Sequence, residues 1–203
     1  MKIICIGWNY AAHNTEMEHH QVTEPAIFMK PDTALLRDNK PFYIPSFSSE
    51  IEHEIEIVVR INRLGKNINK KFAHRYYDEI GLGVDFTARD IQRSQRAKGG
   101  PWEIAKAFDN SAVISPFIPL TSISNPKAIE FSLSKNGALV QCGNTSNMLF
   151  DIDSLIAYVS QFFMLKIGDL IFTGTPSGVG SVAIGDHLEG FLEDNKVLDF
   201  FVK

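Results

Sequence analysis

A chain of 203 residues, 44% hydrophobic and 22% charged, is long enough to bury a core without disulfide or metal staples and is most economically a single domain spanning 1–203. A net charge of −4 and a pI near 5.9, with Lys66, Lys70 and Lys71 grouped only in one loop-like stretch, argue against a nucleic-acid partner. Cys5 and Cys142 form no paired motif, no apolar run is long enough to span a bilayer, and the N-terminus turns polar too early for a signal-peptide core. A cytoplasmic protein with no membrane partner is therefore expected.

In chain order, residues 2–6 read as a strand, followed by a polar insertion over 9–23 that holds His13, Glu16, Glu18, His19 and His20. An insertion of that length reads as a lid or binding loop. A short strand over 26–29 is closed by Lys30-Pro31, a long strand covers 50–62, a helix 70–77 and another strand 79–86. Thr87-Ala88-Arg89-Asp90 has the form of a capping box, and Gly99-Gly100-Pro101 ends the helix it begins. On that helix Arg89, Gln92 and Arg93 share a side. Asn136-Gly137 predicts a hairpin between strands over 128–135 and 138–145. Asp151 or Asp153 caps a helix running to about residue 164, whose Leu155, Ile156, Val159, Phe162 and Phe163 form a core stripe. A strand over 169–173 enters a glycine-rich segment, and strands either side of Asn195 finish the chain. Strands predominate without βαβ alternation, so the fold class is α+β, a β-rich mixed sandwich or roll with a few short helices.

The candidate chemistry begins within residues 51–61. Successive side chains on a strand alternate, so Glu52, Glu54 and Glu56 share one face and Ile51, His53, Ile55, Ile57, Val59 and Ile61 the other. Two carboxylates so spaced have Cα atoms about 6–7 Å apart and can reach one cation. With a third oxygen ligand they suit a hard divalent ion such as Mg2+. The same alternation also describes an ordinary strand with one wet face. Asp85, at the end of the following strand and just before a helix, is the candidate third carboxylate.

His13 and Glu16, three residues apart on a helical turn, suit a general base and its orienting partner, although a solvated polar loop has the same composition. Together with His19 and His20 they match no zinc spacing. The segment Gly174-Thr175-Pro176-Ser177-Gly178-Val179-Gly180 lacks the Gly-Lys-Ser/Thr ending of a phosphate loop and precedes no helix. It reads as a tight turn lining a pocket, with backbone N–H groups open to a carboxylate ligand. Lys106, among apolar neighbours, either snorkels to the surface or stabilises a developing enolate or oxyanion.

The order of motifs is more specific than any one of them. Ile6-Gly7-Trp8-Asn9-Tyr10, His13 to Met17, Phe28-Met29-Lys30-Pro31, His53-Glu54-Ile55-Glu56, Val84-Asp85-Phe86-Thr87-Ala88-Arg89-Asp90-Ile91-Gln92, Ala105-Lys106 and the glycine-rich segment together resemble the fumarylacetoacetate hydrolase family, nearly end to end. The likeness is to its short single-domain branch of acylpyruvate hydrolases and oxaloacetate decarboxylases. That resemblance implies a mixed β-sandwich roll, usually a homodimer. It places Glu54, Glu56 and Asp85 on positions that hold Mg2+ or Mn2+, and His13 and Glu16 on a water-activating lid dyad. It places Lys30, Arg89, Gln92, Lys106 and Thr175 on positions that bind the substrate or polarise its oxygens. The implied activity is metal-dependent hydrolysis of a C–C bond in small β-diketo acids. Oxaloacetate decarboxylation and isomerisation or tautomerisation of 2-oxo acids are the alternatives on the same platform, and a noncatalytic ligand-binding protein is the alternative outside it. Trp8 departs from the family, which usually has Arg there.

Overall fold

The seven residues Ile55–Ile61 form the strand around which the other elements are arranged, because side chains on both of its faces are buried. Ile55, Ile57, Val59 and Ile61 point to one side and Val58 to the other, and all five are fully buried. The computed structural model describes residues 1–17 and 22–203. Glu18, His19 and His20 of the polar insertion thus lie outside the described residues.

This strand, β5, belongs to a mixed eight-stranded sheet. Its order is β2 (Ala26–Lys30), β1 (Ile3–Gly7), β12 (Leu170–Phe172), β5, β6 (Tyr77–Asp85), β8 (Ala112–Ile114) and β3 (Leu35–Leu36), with β9 (Ile118–Pro119) also on β6. β1 with β12 and β3 with β8 are parallel pairs; the rest are antiparallel. A second, antiparallel sheet runs β11 (Ala138–Asn144), β10 (Glu130–Lys135), β14 (His187–Leu192), β15 (Asn195–Phe201). Leu133, Leu188, Leu198 and Phe200 of this sheet share one core with Ile57, Val59, Ile80 and Leu82 of the first. Burial of each such side chain stabilises the fold by about 1.5–3 kcal/mol. On the opposite face of the large sheet, Ile3, Cys5, Val58, Leu170 and Phe172 form a smaller cluster. The architecture is the β-rich α+β arrangement expected.

Helix α5 (Ile152–Phe162) contributes Leu155, Ile156 and Val159 to the main core, and Asp151 caps it by accepting from Ser154 N–H at 2.7 Å. In the β10–β11 hairpin Asn136 and Gly137 both take positive φ, 55° and 80°, as a two-residue turn between twisted strands requires. Among the described residues no helix is long and apolar enough to cross a membrane. Cys5 is buried, Cys142 exposed, and both are free.

Three local expectations are corrected. The long strand over 50–62 is broken at Glu54: β4 (Ile51–His53) turns away to a three-stranded sheet with β13 (Gly180–Ser181) and β7 (Thr87–Ala88). Its glutamate face is not wet either, since Val58 on that face is buried in the second cluster. The capping box is absent. Thr87 is a strand residue, and α3 (Arg89–Lys98) starts at Ala88 without a side-chain cap. Asp90 instead accepts from Ser48 Oγ and Ser49 N–H, tying the helix start to the preceding loop. The helix over 70–77 shortens to α2 (Lys70–Ala73), because Tyr77 already begins β6.

Candidate active site

The break in the long strand is what assembles the acidic cluster. Asp85 N–H donates to Glu54 O at 2.8 Å, so the gap between β4 and β5 is pinned to the end of β6. Glu54, Glu56 and Asp85 each offer a carboxylate oxygen within 4.8 Å of the others. All three are buried. Two cations stand on the same cleft: α4 (Glu103–Lys106) ends in Lys106, and Arg89 opens α3. Lys106 Nζ donates to Glu54 Oε2 at 2.6 Å and Asp85 Oδ2 at 2.9 Å. Arg89 donates to Glu54 Oε1 and to Glu52 Oε2, each at 2.6 Å, and to Gln92. Lys30 Nζ lies 2.7 Å from Asp85 Oδ1 and is surrounded by the Ser111 hydroxyl and the carbonyls of Lys106 and Ser111.

Charge is therefore unevenly compensated. Burial pushes the Glu54 carboxyl up, but Lys106 and Arg89 overcome it and hold the group well below the usual range. Glu56 is held instead by Gly174 N–H at 2.7 Å, and burial together with the Asp85 and Glu54 charges pushes it well above that range. Lys106, although burial opposes its charge, is held above the usual lysine value by Asp85 and Glu54 and stays an ammonium. Asp85 Oδ1 is buried and faces Lys30 Nζ at 2.7 Å. A hard divalent cation would relieve the crowding of Glu54, Glu56 and Asp85 by neutralising the Glu56 carboxylate. On these grounds the donor set fits such an ion.

Above the cluster, β1 leads into α1 (Ala11–Glu16) through Trp8 at φ 66°, a region that bulky residues rarely adopt. Asn14 Nδ2 holds the Trp8 carbonyl at 3.0 Å, and Asn9 Nδ2 donates to the carbonyls of Thr173 and Phe150. The turn is thus fastened at both ends. His13 Nδ1 lies 3.2 Å from Glu16 Oε2, and Glu16 also accepts from Gly178 N–H. With a carboxylate on Nδ1, that nitrogen carries the proton and Nε2 keeps a lone pair. Burial lowers the His13 pKa, outweighing Glu54 and Glu16, so the ring is neutral at neutral pH.

Gly174 and Thr175 are placed by backbone shape and by Gln141. Gly174 has φ 101°, and a Cβ there would sit 2.7 Å from Asn9 Cβ. Gln141 Oε1 accepts from Ile55 N–H at 3.0 Å, while its Nε2 donates to Pro176 O at 3.0 Å and to Thr175 Oγ1 at 2.9 Å. A backbone N–H can only donate and a carbonyl only accept, so the amide orientation is decided from both ends. Thr175 Oγ1 consequently accepts a hydrogen bond from Gln141, leaving its own O–H to donate towards the cleft.

Eight of the ten residues singled out in the sequence line this cleft: His13, Glu54, Glu56, Asp85, Arg89, Gln92, Lys106 and Thr175. Lys30 stands behind Asp85, and Glu16 behind His13. Arg93 shares a side of α3 with Arg89, as expected, and pairs with Glu50 at the surface. Of the N–H groups of the glycine-rich turn, expected to be open to a carboxylate ligand, those of Gly174 and Gly178 are taken by the chain's own Glu56 and Glu16. Two residues escaped sequence reasoning: Glu52, on the glutamate face but outside the expected ligand trio, fastens Arg89, and Gln141 lies in a hairpin strand without any local signal of burial. Trp8 and Trp102 add an aromatic side to the cleft; Trp8 stacks on His13 with ring centroids 5.9 Å apart.

Comparison with known proteins agrees over the whole chain. The fumarylacetoacetate (FAA) hydrolase C-terminal family profile matches residues 2–201. The mitochondrial oxaloacetate tautomerase of Mus musculus is 39% identical over 201 residues, covering 99% of this chain and 91% of that protein. An oxaloacetate tautomerase of Escherichia coli is 42% identical over 188 residues, covering 92% and 86%. The crystal structure of fumarylpyruvate hydrolase from Pseudomonas aeruginosa, in complex with Mn2+ and pyruvate, superposes with a TM-score of 0.94 at 35% identity, covering 100% of this chain and 89% of that one. By sequence and by fold, the chain belongs to the fumarylacetoacetate hydrolase family.

Proposed function

We propose that the protein is a divalent-metal-dependent hydrolase cleaving a C–C bond in small β-diketo acids of the acylpyruvate type. The observation that carries this reading is the His13–Glu16 pair on the lid helix, opening onto the same cleft as the carboxylate trio. Glu54, Glu56 and Asp85 would hold Mg2+ or Mn2+. When bound, the ion supplies Lewis-acid polarisation of a 2-oxo acid's oxygens. The Mn2+ and pyruvate in the Pseudomonas aeruginosa hydrolase support the choice of ion type and of a pyruvate-sized head.

The chain's own residues then divide the work. Arg89, Gln92 and Thr175 present donors to the carboxylate end of the substrate. His13 Nε2 takes a proton from water as the water oxygen attacks the distal carbonyl carbon. The C–C bond breaks, its electron pair stays on the three-carbon fragment as pyruvate enolate, and protonation of that carbon gives pyruvate while the acyl fragment leaves as a carboxylic acid. Lys106 spends two of its N–H groups on Glu54 and Asp85, and the third opposes the charge developing on the enolate. Lys30, behind the cleft, orients Asp85.

The names of the mouse and Escherichia coli relatives favour a second reading, tautomerisation of oxaloacetate, with decarboxylation as a variant needing no water attack. In that case His13 moves a proton between carbon and oxygen and no bond to water forms. Purified protein with Mg2+ or Mn2+, given acetylpyruvate or oxaloacetate, separates the readings by loss of enol absorbance and appearance of pyruvate. Pyruvate from acetylpyruvate supports hydrolysis; enol loss from oxaloacetate without pyruvate supports tautomerisation. His13→Ala should lower hydrolytic kcat by about 10²–10⁴-fold. Full activity in Glu56→Ala or Asp85→Ala would sink both readings. A homodimer is the assembly the family resemblance implies, and light scattering tests it.

A further inference from the structure

The cations around the carboxylate trio are shared out unevenly among its members. Both oxygens of Glu54 accept from a cation at 2.6 Å, Oε1 from Arg89 and Oε2 from Lys106. Asp85 accepts from Lys106 through Oδ2 at 2.9 Å and faces Lys30 through Oδ1 at 2.7 Å. Glu56 takes its hydrogen bond from the uncharged Gly174 N–H. On the far side of Arg89, Glu52 accepts from Nε at 2.6 Å, so a fourth carboxylate stands beside the trio without belonging to it. Lys106 Nζ also lies 5.2 Å from the centroid of the Phe28 ring, a neighbour that brings no formal charge.

These cations have two opposed effects. The number of ligand charges sets how tightly a hard cation is held, and like charges a few ångströms apart in a buried site repel strongly. Lys106 and Arg89 therefore work against a divalent ion bound by Glu54. They work in favour of an anion. With a divalent ion in place and Glu52, Glu54, Glu56 and Asp85 all ionised, Lys30, Arg89 and Lys106 leave the group with one net positive charge. Without Lys106 the loaded group would be neutral, and without Arg89 as well it would be negative. Lys30 is enclosed by the Ser111 hydroxyl and the carbonyls of Phe86, Lys106 and Ser111, whereas Lys106 and Arg89 line the cleft.

We propose that Lys106 and Arg89 lower the affinity of the carboxylate trio for its divalent ion and thereby keep the loaded site attractive to an anionic ligand, with Glu52 moderating both effects. This rests on the reading of the trio as a metal centre that receives a 2-oxo acid. A change of charge beside the trio that spares the three ligands then moves the affinities for ion and anion in opposite directions.

Calorimetric titration with Mn2+, and of the Mn2+-loaded protein with pyruvate, tests this without any need for turnover. Lys106→Met and Arg89→Gln should each bind Mn2+ about tenfold or more tightly than the unmodified protein, and pyruvate about tenfold or more weakly. Glu52→Gln keeps an acceptor for Arg89 Nε and removes a charge. It should do the reverse by a smaller factor, weakening Mn2+ and tightening pyruvate. A change that merely loosens the site would weaken both ligands. That outcome in both Lys106→Met and Arg89→Gln, or an unchanged Mn2+ affinity in both, overturns the inference while the metal reading stands. If Lys106→Met does not fold, the opposed shifts of Arg89→Gln and Glu52→Gln decide the matter. Failure of the unmodified protein to bind Mn2+, or undiminished binding by Glu56→Ala, overturns the metal reading instead, and failure of the loaded protein to bind pyruvate overturns the 2-oxo acid reading.

Discussion

Glu54 and Glu56 are two residues apart in sequence and chemically identical, yet the structure treats them oppositely. Glu54 sits between Lys106 and Arg89 and is held ionised, whereas Glu56 leans on one backbone N–H and is pushed towards its neutral form. Pairing, not residue type, makes the difference. The same holds for Thr175, whose direction of donation is decided by Gln141. Gln141→Glu keeps an acceptor for Ile55 N–H but replaces the donor facing Thr175, so the threonine hydroxyl turns back and is lost to the cleft. Losing a hydrogen bond to a charged group costs about 1.5–3 kcal/mol, so KM for a 2-oxo acid should rise by about 10- to 100-fold with a smaller change in kcat. Steady-state kinetics checks this; an unchanged KM would detach Thr175 from substrate binding.

Among elements, the glycine-rich turn matters more than its length suggests. One of its N–H groups holds Glu56 and another holds Glu16, so a single turn connects the carboxylate trio to the His13–Glu16 pair. Gly174→Ala places a Cβ against Asn9 at positive φ. We expect destabilisation of at least about 1–3 kcal/mol, read from urea melts, and weaker Mn2+ binding by calorimetry as Glu56 loses its anchor. A variant that melts and binds like the unmodified protein would separate the turn from the centre. Helix α1 has only six residues, too few to be stable alone. Asn9 fastens the turn that leads into it, Gly178 N–H holds Glu16 at its end, and its own Asn14 reaches back to the Trp8 carbonyl.

For the molecule as a whole, acid stability is where buried polar groups become measurable. His53 lies in the core with Nδ1 2.9 Å from Gln141 Oε1, and burial lowers its pKa below the usual 6.5. His13 is lowered for the same reason. Because the folded-state value lies below the unfolded one, the unfolded chain takes up the proton first. Their contribution to stability is complete above pH 6.5 and is lost as the pH falls from there towards the folded-state pKa. Each histidine can cost up to about 1.4 kcal/mol per pH unit within that window. Urea unfolding at pH 7.5 and 5.5 should show the loss, and His53→Gln should reduce it; an unchanged pH dependence in that variant would place the acid sensitivity elsewhere.

Much of the fold was legible in the chain because it is written locally. The Asn136-Gly137 turn, the Asp151 cap and the apolar stripe of α5 depend on neighbours within a few residues. So does the alternation that gathers Glu54 and Glu56 on one side of a strand, and the order of motifs that carries the family resemblance. What the chain could not show depends on partners far away in sequence. The break at Glu54 exists because β4 pairs with β7 and β13 while β5 pairs with β6 and β12, and strand pairing has no local signature. Lys30 reaches Asp85 across 55 positions and Gln141 reaches Ile55 across 86. By itself, then, the sequence determined which chemical groups are available and the order in which they come. Only the tertiary structure decided which carboxylate is compensated, which lysine stands on the cleft and which behind it, and which hydroxyl faces a ligand, because those outcomes are set by burial and by charges a few ångströms away in space.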